Sequence, residues 1–154
     1  MTERILRALG ALCLLSTTAC SAMRNCPEGT TDPVPIPSDH GGFDAQALTY
    51  NSAGWGDNED RWDHFPAKTK LRFTHHLGVI PLGLKVYLAF DDKGTNGKDA
   101  GSGAESAGNQ DLIDCVDAHV IEIKNDTCED GFYARVIAWD AVPGASEKAK
   151  DACQ

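Results

Sequence analysis

The sequence lacks the short motifs that identify the common hydrolases. Its five histidines form no HExxH or HxH pair, and no serine stands within a Gly-x-Ser-x-Gly turn. His75 and His76 are adjacent, so on a strand they would point to opposite faces and could not bind one metal ion together. We therefore expect a protein that is not an enzyme, with a metal-dependent hydrolase as the alternative.

Basic residues are few, and closely spaced cysteines are absent. The chain has 14 lysines and arginines against 23 acidic residues, which gives a net charge of −9 at pH 7. This charge would repel a nucleic-acid backbone, so nucleic acid is excluded as a partner. No two cysteines have the two-to-four-residue spacing of structural zinc sites, so no metal site is predicted.

Apolar runs long enough to cross a membrane are also missing, and the main apolar run lies near the N-terminus. It extends from Ile5 to Leu15, with Arg4 and Arg7 as positive charges, and is shorter than the roughly 20 residues of a membrane-spanning helix. Small residues at positions 17–19 separate it from Cys20. This combination is typical of a cleaved export signal.

The arrangement resembles the signal of bacterial lipoproteins, in which a small residue precedes the cysteine that is lipidated. Thr17 stands where that family has a large aliphatic residue. The resemblance implies that residues 1–19 are removed, that Cys20 carries lipid on its sulfur and amino group, and that Ser21 directs the protein to the outer membrane. An ordinary signal peptide, which would leave a secreted protein, is the alternative.

Four cysteines remain after Cys13 and Cys20 are set aside, and four suit two disulfides in an oxidising compartment. If residues 119–124 form a straight strand, Cys115 and Cys128 lie beyond its opposite ends, roughly 20 Å or more apart. A disulfide needs α-carbons within about 7 Å, so these two cysteines should not pair. Among the remaining pairings, Cys115–Cys153 with Cys26–Cys128 is preferred, because the last strand should end near the side where the strand after Cys115 begins.

Residues 26–42 contain alternating prolines and show no apolar periodicity. Alternating proline favours an extended, semi-rigid chain, so we predict a tether that holds the following domain away from the membrane. The predicted organisation is a signal peptide at residues 1–19, a lipidated Cys20 with a proline-rich tether at 20–42, and one domain at 43–154.

Strand signals dominate that domain. In residues 70–77, Leu71, Phe73 and His75 alternate with polar residues, which is the period of a half-buried strand and makes His75 a hydrogen-bonded core histidine. Residues 84–90 repeat the alternation. Further strands are predicted at Phe43–Tyr50, His119–Lys124 and Phe132–Trp139.

Short alternating strands between turn residues predict an all-β fold, an antiparallel β-sandwich of five to eight strands stabilised by disulfides. Residues 70–90 and 119–139 should each form a hairpin. Helix should be negligible, apart from a short C-terminal one that Ser146 would cap.

Two long loops interrupt the strands. In residues 51–66, Trp55, Trp62 and Phe65 are expected to pin the loop onto the sheet. Residues 91–111 are rich in glycine and should form a long loop without a core of its own.

No cofactor is predicted, and Ca²⁺ bound by carboxylates of these two loops is the alternative, although no EF-hand spacing is present. The acidic residues concerned are Asp57, Glu59, Asp60 and Asp63 in the first loop, and Asp91, Asp92 and Asp99 in the second.

The last predicted strand is apolar on both faces. The side chains at 132, 134, 136 and 138 are assigned to the core, so the opposite face needs another explanation. Aromatic residues alternating with arginine are used both in sugar stacking and at interface hot spots. We call this face the ridge, and it consists of Tyr133, Arg135, Ile137 and Trp139, with Tyr87 expected beside it.

The strand pattern between residues 73 and 139 resembles the small antiparallel sandwich of the H-type lectins and the sheet domains of phage tail fibres. The features that carry the resemblance are Phe73 with the corner at 75–78, Pro81 before a strand at 85–88, and Gly131-Phe132 leading a last strand that ends in Ala138-Trp139-Asp140. The resemblance implies a sugar site at Trp139 and Asp140.

Two functions follow as hypotheses. One is a surface module that binds a glycan or another extracellular ligand through Tyr87, Tyr133, Arg135, Trp139 and Asp140. The other is a structural component that docks onto partner proteins of the cell envelope. A third outcome is that the loop around residues 55–65 covers the ridge and makes it core.

Overall fold

The described part of the chain forms ten short strands in two sheets, and this arrangement confirms the predicted all-β sandwich. Within the described ranges there is no helix, and none that could cross a membrane. The signal peptide, Cys20 and the predicted helix after Ser146 lie outside those ranges. The residues described by this computed structural model are 26–37, 40–54, 61–94, 103–108, 110–140 and 153.

The first sheet has four strands, in the order β1, β5, β9, β8. The pair β1–β5 is parallel, whereas β9 is antiparallel to both of its neighbours. The strands are β1 (Val34–Pro35), β5 (Lys70–Thr74), β8 (Asp111–Val116) and β9 (Val120–Asn125).

The second sheet is antiparallel and has the order β2, β3, β10, β6, β7, with β4 paired to the start of β10. Its longest strands, β6 and β10, lie side by side at its centre. The strands are β2 (Gly42–Asp44), β3 (Thr49–Asn51), β4 (Asp63–His64), β6 (Gly83–Ala89), β7 (Ala104–Glu105) and β10 (Tyr133–Trp139).

The core lies between the sheets, where their inward side chains meet. The predicted inward residues of β5 and β10 are buried, while Phe132 is half-buried and Phe90, just after β6, is 62% exposed. The first sheet contributes Leu71, Phe73, Ile121 and Ile123, and the second contributes Tyr50, Val86, Leu88, Ala134, Val136 and Ala138.

Both predicted hairpins are wrong, although their strands are present. The strands β5 and β6 lie in different sheets, and so do β9 and β10. Each connection carries the chain across the core, so the two apolar stripes face each other instead of lying side by side. Alternation in the sequence shows which side chains are buried, but it does not show whether the next strand pairs with the first or packs onto it.

The predicted strand Phe43–Tyr50 is two strands joined by a turn. Asp44 Oδ1 accepts hydrogen bonds from the backbone N–H groups of Gln46 (2.8 Å) and Ala47 (3.0 Å), and Leu48 has a φ of 49°. The turn reverses the chain, so β2 pairs with β3 in an antiparallel hairpin. The local cause of this division is Asp44, whose side chain accepts hydrogen bonds from the backbone of the turn that follows it.

Four strands were not predicted, namely β1, β4, β7 and β8, and together with the division of Phe43–Tyr50 they take the number above the expected five to eight. β7 lies within the predicted glycine-rich loop, and β8 follows it. Alternation of apolar and polar residues does not reveal β8. Its register shifts between Ile113 and Cys115, and Leu112 and Ile113 are both exposed.

Residues 26–37 differ from the predicted tether, because they pack against the domain. Cys26 is bonded to Cys128, and Ile36 is a buried member of the core whose N–H donates to Arg72 O (2.8 Å). The extended conformation that alternating proline favours also suits an edge strand, which is the position that β1 occupies in the first sheet.

Both expected disulfides are present, with α-carbon separations of 4.9 Å for Cys26–Cys128 and 5.7 Å for Cys115–Cys153. Asn125 holds the loop that presents Cys128. Its buried side-chain amide donates to Phe65 O (2.8 Å) and Glu129 O (3.0 Å), while its Oδ1 accepts from the N–H of Thr127 (2.9 Å). The Asn-Asp-Thr triplet at 125–127 is therefore a structural element of the loop.

Removing the disulfides should destabilise the domain to different extents. Cys26→Ser with Cys128→Ser opens a loop with a sequence separation of 102, and Cys115→Ser with Cys153→Ser opens one of 38. Chain entropy predicts losses in the free energy of unfolding of about 4.7 and about 3.9 kcal/mol, respectively. Urea denaturation measures both, and a larger loss for the shorter loop would contradict the entropic explanation.

Candidate functional site

The predicted ridge lies on the outward face of the second sheet. Ala134, Val136 and Ala138 of β10 are buried in the core, so the alternate residues of that strand point outward. Arg135 is the cross-strand partner of Tyr87, and its Cζ lies 5.9 Å from the centroid of the Tyr87 ring. The structure therefore brings these two predicted site residues together.

A second layer covers the half of the ridge around Tyr87 and Tyr133. Trp62, Ala53 and Ala89 form a small buried cluster against which both tyrosines pack. The Trp62 indole Nε1–H donates to Gly54 O (2.9 Å), which fixes the segment over the sheet. The pinning predicted for Trp62 is confirmed, whereas Phe65 is buried in the main core and Trp55 lies outside the described residues.

The other half of the ridge is separated from this cluster. Trp139 is half-buried and lies over Gly83, where a Cβ would approach the indole Cε2 to 2.2 Å, so only glycine fits there. Asp140 is buried, and its N–H donates to Leu48 O (3.0 Å). Arg135 and Trp139 are four residues apart, about 13 Å along a strand. Two of the five predicted contact residues, Arg135 and Asp140, are buried, so the five do not form one exposed surface.

Arg135 is 5% exposed and turns toward the end of β3. Its Nε donates to Ala53 O, and its Nη2 donates to Asn51 Oδ1 (3.1 Å). Burial lowers the pKa of Arg135 from its ordinary value, but an arginine remains protonated at neutral pH because that value is so high. The site thus holds a positive charge whose position is fixed by neutral oxygen acceptors.

A cleft of about 460 Å³ opens beside Arg135, between the β2–β3 hairpin and residues 53–54. Phe43 is half-buried in its wall and Asp44 is exposed at its rim. The backbone N–H groups of Ala47 and Gln46 lower the pKa of Asp44, so its carboxylate is ionised at neutral pH. The lining residues are Gly41, Gly42, Phe43, Asp44, Asn51, Ala53, Gly54 and Arg135.

The approach of the chain to β2 shapes one wall of the cleft. Gly41 has a φ of +81°, and a Cβ there would lie 2.2 Å from Asn51 O. Beside it, His40 Nδ1 lies 3.1 Å from Oδ1 of the buried Asp63. Sequence reasoning missed the cleft because more than 80 residues separate β2 and β3 from Arg135; the pair Gly41-Gly42 before Phe43 was the available local signal.

In the part of the chain that the structure describes, the histidines do not form a metal-binding group. His75 Nε2 lies 3.0 Å from Asp117 O, and its Nδ1 accepts the N–H of Leu77 (3.2 Å), so His75 is the predicted core histidine. The described residues hold no group of three or more His, Cys, Asp or Glu side chains that could bind a metal ion. Asp57, Glu59, Asp60 and Asp99 lie outside those residues.

No family model, curated protein or solved structure matches this chain. The class that the structure defines is a disulfide-bonded all-β sandwich with a cleft on the outward face of its second sheet.

The core position of His75 predicts a loss of stability in mild acid. Burial lowers the pKa of His75, although the carbonyl of Asp117 opposes this effect, so the unfolded chain binds a proton more readily than the folded one. The contribution is fully present above about pH 6.5 and is lost as the pH falls toward the lower folded-state pKa, by at most about 1.4 kcal/mol per pH unit.

Thermal unfolding between pH 7.5 and 5 tests this prediction. His75→Gln should flatten the pH dependence, whereas His76→Gln, at the exposed neighbouring position, should leave it as in the wild type. Equal slopes in wild type and His75→Gln would show that other groups cause the acid sensitivity.

Proposed function

We propose that the chain is an exported bacterial lipoprotein, anchored through Cys20 at the outer membrane, and that its β-sandwich binds an extracellular ligand of the glycan class. The cleft beside Arg135 is the observation that carries the binding proposal. Two disulfides support export, because such bonds persist in oxidising compartments. No catalytic role is part of the proposal.

The chemistry of the cleft suits a sugar. A sugar hydroxyl both donates and accepts hydrogen bonds, and the cleft is lined by the Asp44 carboxylate as acceptor and the amide of Asn51, with the positive charge of the buried Arg135 in its wall. The half-buried ring of Phe43 can pack against the apolar face of a pyranose. The volume, about 460 Å³, falls in the range of small-ligand sites.

Substitutions in the accessible part of the cleft should separate binding from folding. Phe43→Ala and Asp44→Asn are expected to weaken glycan binding roughly tenfold or more, which corresponds to about 1.4 kcal/mol or more of binding free energy. The melting temperature should change little for Asp44→Asn, because asparagine can also cap the turn. A glycan panel identifies the ligand, and titration calorimetry measures its affinity.

The matched control is Phe90→Ala, which removes an exposed aromatic residue outside the cleft and should bind the glycan as the wild type does. Absence of binding to any glycan, or equal affinity in all variants, would contradict the proposal. Arg135 is unsuitable for this test because its burial would confound binding with stability.

Docking onto an envelope protein is the second candidate function. Leu112 and Ile113 are 44% and 54% exposed on β8, which is the last strand of the first sheet. They border a groove of about 290 Å³ whose lining also includes Leu84 and the buried Val86 of the second sheet. If Ile113→Lys abolishes crosslinking to an envelope protein while no glycan binds the wild type, docking is favoured instead.

The anchor is tested separately. Cys20→Ser should move the protein from the membrane fraction to the soluble fraction, because the lipid attached to Cys20 is the proposed anchor. Fractionation and intact-mass measurement report the result. Membrane association that persists in Cys20→Ser, together with no lipid mass on the wild type, would leave a plain secreted protein.

A further inference from the structure

We propose that the Cys26–Cys128 disulfide orients the domain on the membrane, with one end of the sandwich against the lipid surface. That end consists of the loop at residues 126–131 with Phe90 and Phe132, and we call it the Phe90 end. The inference rests on the proposed lipidation of Cys20, because the lipid defines the position of the membrane relative to the chain.

The disulfide leaves a short connection between lipid and domain. Cys20 and Cys26 are six residues apart, which a fully extended chain spans in at most about 22 Å. A free proline-rich tether to residue 42 would reach about 70 Å. Because Cys26 is bonded to Cys128 and Ile36 is buried in the core, only the short connection is available.

Phe90 lies close to the point where this connection enters the domain. The α-carbons of Cys26 and Cys128 are 4.9 Å apart, and Gly131, three residues beyond Cys128, lies against Phe90, since a Cβ there would be 3.7 Å from Cδ1 of the ring. The ring centroids of Phe90 and Phe132 are 5.2 Å apart. Phe90 is nevertheless 62% exposed, so its ring is accessible to lipid.

The exposure of apolar side chains does not by itself show which end of the domain contacts the membrane. Leu82 is 60% exposed and lies just before β6, whereas Phe90 lies just after it, so the two are about 26 Å apart along a strand. The short connection selects the Phe90 end, since the Leu82 end would have to reach the surface from the far side of the domain.

The contact should depend on the aromatic rings more than on charge. Lys68 and Lys124 lie at the same end, but both are within 4 Å of Asp126, and Glu129 adds a further negative charge. This end therefore has no excess of positive charge to attract anionic lipids. An apolar side chain such as phenylalanine can be buried at the boundary between headgroups and acyl chains, which is the place that the geometry gives to Phe90.

The test uses the full lipidated chain in vesicles of phosphatidylethanolamine and phosphatidylglycerol. A photo-crosslinking amino acid is placed at position 90 or, as the matched control, at position 82. Lipid crosslinks should be several-fold more frequent at position 90, and added salt should not reduce them. Equal crosslinking at both positions would overturn the proposal.

A second variant lengthens the connection without altering the domain. Inserting about 20 glycine and serine residues between Ser21 and Cys26 adds a root-mean-square reach of about 25 Å, so crosslinking at position 90 should fall toward the level at position 82. An unchanged level would show that the disulfide does not set the orientation. If the wild type carries no lipid on Cys20, both this proposal and the proposed anchor fail, whereas lipidation with equal crosslinking refutes the orientation alone.

Discussion

The contact between two apolar stripes, one from each sheet, is the interaction on which the rest of the structure depends. Phe73 and Ile121 face Val86 and Val136 across the core, and all four are buried. The domain has no helix in its described residues that could add another apolar layer. Because both inner faces must meet, the chain crosses from one sheet to the other after β1, β4, β5, β7 and β9.

The outward face of the second sheet carries both a packed layer of side chains and the candidate cleft. Trp62 and Ala53 cover Tyr87 and Tyr133, so described residues on both sides of positions 55–60 form a second layer. The same layer fixes Arg135 through Ala53 O, next to the cleft that β2 and β3 border. A buried guanidinium held by backbone and amide oxygens gives the wall of the cleft a positive charge at a fixed position, which favours a polar ligand.

The disulfides act at different places on the sandwich. Cys26–Cys128 joins the start of the described chain to the loop after β9, and so converts a proline-rich segment from a spacer into an edge of the domain. Cys115–Cys153 joins β8 to the C-terminal part of the chain. Long closed loops make such bonds effective in a small domain, because they restrict the unfolded state most.

The sequence by itself determined the fold class, the burial of Leu71, Phe73 and His75, and the absence of a Cys115–Cys128 bond, because alternation and chain length are local quantities. Only the tertiary structure decided that successive strands pack across the core instead of pairing, since either choice buries the same residues. The cleft also depends on the tertiary structure, because Phe43 and Asp44 lie beside Arg135 only when β3 pairs with β10. Local patterns cannot encode a contact between segments whose pairing depends on the whole sheet.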